Sequence, residues 1–255
     1  MYIYGGNDRN FSYPLRRQYN MTEHLQLLTL TAASIGFIHT LLGPDHYLPF
    51  IVMAKARSWS RVKMLTVTAL CGLGHVLSSI LLGTVGLWVG IALFRLEAIE
   101  AYRGDLAAYA LIFSGAAYGL WGLRQAYKKR LHKHLHIHGG GKLHTHTHTH
   151  HQEHAHVHTS QKKILTPWVL FTIFVLGPCE PLIPLLIFPA AEESLLSAVW
   201  IALVFGMVTI ATMLVVVFTA SLGIERLPLK PIEQYSHALA GFALCLCGLA
   251  VRFGL

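Results

Sequence analysis

Charge is scarce in this sequence. Only 13% of its 255 residues are Asp, Glu, Lys or Arg, while 54% are hydrophobic. A soluble domain carries about 25% charge, so a soluble globular enzyme is excluded. Cysteine is scarce too. The four present (Cys71, Cys179, Cys245, Cys247) all lie in apolar blocks, and no extracellular disulfide framework is implied. The first 24 residues lack the basic-then-apolar order of a signal peptide. What is present is a series of apolar blocks of about 18 residues or more, enough to cross a hydrocarbon core of roughly 30 Å. The chain reads as an all-α polytopic membrane protein. Its net charge of +8 belongs to inter-helix loops, so no nucleic-acid partner is expected.

Six spans are predicted, at 25–42, 64–94, 106–123, 168–190, 194–222 and 235–251. The second is too long for a straight crossing, and Gly72-Leu73-Gly74 marks a weak point in it. Residues 47–54 are too short to cross and follow Gly43-Pro44, so they read as a broken or re-entrant continuation of the first span. Of the 20 Lys and Arg, fourteen fall on one side of the membrane and six on the other. That bias makes the richer side cytoplasmic and places both termini outside, in a plasma (inner) membrane.

The chain also repeats itself. Leu-Gly-Pro-Asp-His at 42–46 answers Leu-Gly-Pro-Cys-Glu at 176–180, and each is followed by further prolines. Gly115 and Gly122 have the same spacing as Gly241 and Gly248. Two halves of three helices follow, the second entering from the opposite side. That is an inverted repeat with broken helices at Gly-Pro and a site near the midplane. The predicted units are an extracytoplasmic segment 1–24, a first repeat 25–123, a disordered cytoplasmic loop 124–166 and a second repeat 167–255.

Ionisable groups inside a bilayer are costly and mark function. Here they are His39, Asp45, His46, His75 and Glu180, with Cys179 beside the last and His237 at an edge. On a straight helix His39 and His46 stand two turns apart, about 10 Å, too far for one ion. Unwinding at Gly43-Pro44 would bring both rings and the carboxylate together. Imidazole and carboxylate suit nickel, cobalt, zinc or iron, and a thiolate from Cys179 would favour softer ions. Magnesium and calcium prefer oxygen-only sites. Cys245 and Cys247 point to different helix faces and make a poor metal pair. The loop adds an accessory metal-binding tract of twelve histidines: His132, His134, His136, His138, His144, His146, His148, His150, His151, His154, His156 and His158.

At these residues the sequence resembles a family. "GFIHTLLGPDHYLPF" is similar to the His-x4-Asp-His signature of nickel/cobalt transporters, with one residue inserted, and "GLGHVLSS" resembles their next signature. "FVLGPCEPLI" and "FGMVTIATM" resemble two later ones, with Ala211 where the family pattern has aspartate. The His-rich loop is like that of related nickel/cobalt efflux proteins. The resemblance implies a non-enzymatic transporter whose substrate is a divalent transition-metal ion, nickel or cobalt before zinc, with His39, Asp45, His46 and His75 as ligands. A cytoplasmic loop that collects ions favours export. Two other readings stand beside it. "GPCEPLIP" also resembles the Pro-Cys-x-x-Pro element of thiol-disulfide electron-carrying membrane proteins, which would use Cys179. That chemistry needs a second thiol, and the position matching Cys179 in the repeat is Asp45. The third reading is a membrane metal sensor without transport.

Overall fold

The computed structural model describes residues 13–130, 165–192, 194–225 and 230–254. Among them every regular element is helical: α1 (Tyr13–Leu42), α2 (Leu48–Ala56), α3 (Arg61–Val89), α4 (Leu93–Arg130), α5 (Leu165–Leu176), α6 (Leu182–Glu192), α7 (Leu195–Glu225) and α8 (Ser236–Arg252). A short 3-10 turn, Pro44–His46, joins α1 to α2, and a second, Lys230–Tyr235, leads into α8. Five helices are long and apolar enough to cross a membrane, in α1, α3, α4, α7 and α8. Their outward faces carry Leu30, Ile38, Trp88, Phe113, Leu196 and Phe242, all exposed. Apolar surface on this scale is stable only against lipid. The protein is an integral membrane protein.

The fourth predicted span, 168–190, is two short helices, α5 and α6, separated at Gly177–Pro181. Pro178 has no N–H, so the helical ladder cannot run through it. Pro44 has the same effect between α1 and α2. The weak point expected at Gly72-Leu73-Gly74 does not break: α3 runs through it. Those glycines serve packing instead. A side chain on Gly72 would press on Met213, and one on Gly74 would press on Phe171 and Val175. The end of α3 falls earlier than the sequence reading placed it. Gly90 takes φ 73°, its N–H reaches Leu87 O at 3.1 Å, and Ile91 N–H reaches Gly86 O at 2.8 Å. That is the paired hydrogen-bond stop that glycine in the left-handed region provides. A new helix starts at Leu93 and carries Glu97, Glu100, Arg103 and Asp105, which lie between the predicted spans 64–94 and 106–123. At its other end α4 runs to Arg130, and α5 begins at Leu165, so helix extends into both edges of the predicted loop.

The matched glycine pairs meet across one interface. α4 packs against α8 more extensively than any other pair of helices. A Cβ on Gly115 would fall 2.7 Å from Cys245 N, one on Gly122 2.5 Å from Ala238 N, and one on Gly248 2.7 Å from Ala108 O. Backbone touches backbone, the use of small residues typical of helix pairs in lipid. The other contacts bring the breaks together. α1 lies on α7, where Gly36 faces Phe205, and α3 lies on both α5 and α7. Cys247 Sγ on α8 sits 3.9 Å from Pro44 O in the first break.

Candidate functional site

Each break converts a proline into free backbone groups, and the site is assembled around them. Without an N–H at Pro178, the Phe174 carbonyl has no donor four residues on. It accepts instead from Gly177 N–H at 3.1 Å and from the ring N–H of His75 Nδ1 at 3.2 Å. His75 stands on α3 and is 3% exposed. Gly177 leaves room for it, since a Cβ there would lie 3.2 Å from His75 Nδ1. On the other side, Gly43 N–H bonds His39 O at 3.0 Å and ends α1. The turn that follows folds Asp45 and His46 back over Gly43, where a Cβ would strike His46 Nδ1 at 2.6 Å and Asp45 Oδ1 at 2.9 Å.

Unwinding therefore does what a straight helix could not. The rings of His39 and His46 are 4.7 Å apart and those of His46 and His75 5.2 Å apart, each pair edge to face. One nitrogen from each of the three lies within 4.8 Å of the others. Asp45 Oδ1 accepts from His46 Nδ1 at 3.1 Å. A carboxylate and a carbonyl only accept, so in His46 and His75 the proton sits on Nδ1 and the Nε2 lone pair is free. The Nε2 atoms of His39, His46 and His75 are all buried with no hydrogen-bond partner among the described residues. Three buried imidazole nitrogens without partners, on neighbouring rings, are costly unless something binds them. A cavity of about 20 Å³ lies against Asp45, His46, His75, Gly177 and Pro178. That is room for about one water-sized group, beside His46 and His75 but not against His39.

The sequence-predicted residues thus divide. His39, His46 and His75 come together. Asp45 touches the group through His46 Nδ1, in the way a carboxylate orients a metal-binding imidazole. Cys179 is fully buried at the second break. Glu180, one residue on, is exposed. His237 is not a simple edge residue: its Nδ1 bonds the Tyr118 hydroxyl at 2.7 Å. The twelve loop histidines, His132 to His158, lie outside the described residues.

Sequence reading missed Glu100 and Arg103. Glu100 is fully buried, and Arg103 Nη1 donates to its Oε1 at 2.6 Å. Arg103 Nη2 also donates to Val175 O and to Ser78 Oγ, each at 2.7 Å. Glu100 Oε2 accepts from Cys179 N–H at 3.4 Å. Residues 100, 103 and 104 share one helical face, but that shows only once the helix is known to begin at Leu93.

The described residues form a polytopic helical membrane protein with two broken helices, a thiol at one break and a polar cluster at the other. The chain belongs to the family of the cytochrome C biogenesis protein transmembrane region, which matches residues 48–250. No match was found among curated proteins or among solved structures. The family match overturns two expectations. The chain does not belong to the nickel/cobalt transporters, and transport of nickel, cobalt or zinc as its function falls with that membership. The physical reason is that the transporter resemblance rested on short signatures. His39, Asp45 and His46 lie before the matched residues and His75 within them, so these signatures described a local ligand cluster and not the family of the whole chain. The match contains both Cys179 and His75, and favours the thiol-disulfide reading.

Proposed function

We propose that this protein exchanges thiols and disulfides within the membrane, with Cys179 as the exchanging thiol. One observation carries the reading. Cys179 alone of the four cysteines stands at a helix break inside the family's matched region, while Cys71, Cys245 and Cys247 stand within continuous helices. All four are free thiols. With Asp45 at the matching position of the first break, the reaction runs through one protein sulfur. The Cys179 thiolate attacks a partner's disulfide, an S–S bond forms to Cys179, and the other partner sulfur leaves as a thiolate and takes a proton. A thiolate on a second partner then attacks the first partner's sulfur in the mixed disulfide and releases Cys179 as a thiolate, and a second thiol of that partner breaks the disulfide left between the two partners, so two electrons pass from one partner to the other.

The architecture supports an inverted repeat for this role. The broken pair α1–α2 with α3 and α4 answers the broken pair α5–α6 with α7 and α8. The Lys and Arg bias supports both termini outside and residues 124–166 in the cytoplasm.

Sealed liposomes test the reading. With glutathione outside and a fluorogenic disulfide peptide encapsulated, the reconstituted protein is expected to reduce the peptide. Replacing Cys71, Cys245 and Cys247 together by Ala should preserve this, and Cys179→Ser should reduce it to the rate of protein-free liposomes. Activity retained in Cys179→Ser, or none in the wild type, would sink the assignment.

A second reading rests on a separate observation, the three orphaned imidazole nitrogens. On this reading the first break, at Gly43-Pro44, holds a resident transition-metal ion of the nickel, cobalt or zinc class, retained for sensing and not conducted. Three imidazoles with an open fourth position suit such ions.

A further inference from the structure

In an unbroken helix Cys179 N–H would bond Val175 O, four residues back. Here that bond is open, and a charged pair from α4 occupies it. Val175 O accepts from Arg103 Nη2 at 2.7 Å, and Cys179 N–H donates to Glu100 Oε2 at 3.4 Å. The two side chains close the circuit through their own 2.6 Å bond. Each charge also has the right sign for its position. The guanidinium meets the carbonyl end of α5, and the carboxylate meets the amide end that leads into α6. Gly104, on the same face of α4, has no side chain because Pro178 Cγ would lie 2.9 Å from its Cβ. Ser78 on α3 fixes the guanidinium at 2.7 Å. Glu100 is 0% exposed and the Arg103 side chain 15%, so the pair is largely shielded from water, where such bonds are strong and exacting in geometry.

From this geometry we infer that Glu100 and Arg103 are positioning residues for Cys179. They splice themselves into the broken hydrogen bond and hold the thiol turned into the bundle, and the thiol becomes reactive when the splice opens. The inference deepens the exchange reading and rests on it for its purpose, but the clamp itself is measurable without any exchange activity.

The test uses the full-length chain in membranes, with Cys71, Cys245 and Cys247 replaced by Ala so that Cys179 alone reports. The measurement is the rate of its alkylation by a membrane-permeable maleimide. Arg103→Lys keeps the charge but gives up the fork that reaches Glu100, Val175 and Ser78 at once. Glu100→Gln keeps an acceptor for Cys179 N–H but loses the charge. Both should raise the rate by at least about tenfold, the scale expected when charge-assisted bonds holding a local structure are lost.

The decisive variant exchanges the two, Glu100→Arg with Arg103→Glu. It preserves the ion pair and the net charge but presents a like-signed group to each backbone end. A pair that merely neutralises itself would tolerate the exchange and give the wild-type rate, which would overturn the proposal. A clamp would not, and the rate should rise as in the single variants. If the exchanged chain does not fold, shown by loss of a monodisperse elution peak, the two single variants decide: unchanged rates in both overturn the clamp. The liposome assay keeps the two ideas apart. Raised alkylation with no peptide reduction in the wild type would leave the clamp standing and remove the exchange function.

Discussion

Deleting residues 132–158 and measuring nickel on the purified protein should leave about one tightly held ion per chain, and His46→Ala or His75→Ala should abolish it. The deletion is needed because twelve loop histidines would bind metal on their own. The remaining affinity comes from His39, His46 and His75, whose Nε2 atoms are buried and unpartnered. Removing one of three ligands should weaken binding by at least about a hundredfold. Asp45→Asn should cost less, roughly ten- to a hundredfold, because Asp45 acts by orienting His46. Magnesium in excess should not displace the nickel. Acid should. Protons compete for the same lone pairs, and imidazole has an ordinary pKa of about 6.5, so binding is full above that range and falls as pH drops through it. Nickel bound equally by His75→Ala and by the parent chain would mean that the three imidazoles are structural.

The largest loss of stability is expected from Gly241→Val. A Cβ on Gly241 would fall on the backbone N and Cα of Gly119, and it would also lie 2.6 Å from Gly115 O. Backbone cannot move aside as a flexible side chain can, so α4 and α8 must separate. Overpacking of this kind costs about 1–3 kcal/mol or more, and the loss of neighbouring contacts adds to it. The variant should unfold at markedly lower temperature in detergent or fail to elute as a single species. Gly223→Ala is the control. Nothing lies within 4 Å of a Cβ there, and its stability should match the parent. Equal stability of both variants would remove the close approach of α4 and α8 from the account of the fold.

The same glycines show how much the sequence disclosed. Their matched spacing was visible in the chain, and it reports the close contact between α4 and α8. Gly119 was not visible, because it belongs to no repeated spacing and matters only once Gly241 lies against it. The imidazole cluster was legible because His39 and His46 flank a Gly-Pro break and because histidine is rare in apolar runs. Whether Asp45 binds an ion or orients His46 was not legible, since that depends on which way the ring turns. Glu100 and Arg103 were hidden by their own charge. They interrupt an apolar run, and a reading by hydropathy places such residues outside the membrane unless they are paired within it. The family was hidden for a related reason. Its match spreads over residues 48–250, whereas the eye is drawn to short signatures at 36–50 and 72–79.

Helix α3 is unbroken from Arg61 to Val89, and His75 stands midway along it. At 1.5 Å per residue the helix is roughly 43 Å long, close to the full height of a bilayer with its headgroups. α5 and α6, being two short pieces, have no such rigidity. In a bilayer of shorter lipid chains α3 must lean, while the pieces beside it shift separately. The bond between His75 Nδ1 and the Phe174 carbonyl, at 3.2 Å, spans that seam. Lipid chain length is therefore expected to act on the imidazole cluster directly. Nickel affinity measured in nanodiscs of graded acyl length should pass through a maximum where α3 stands upright.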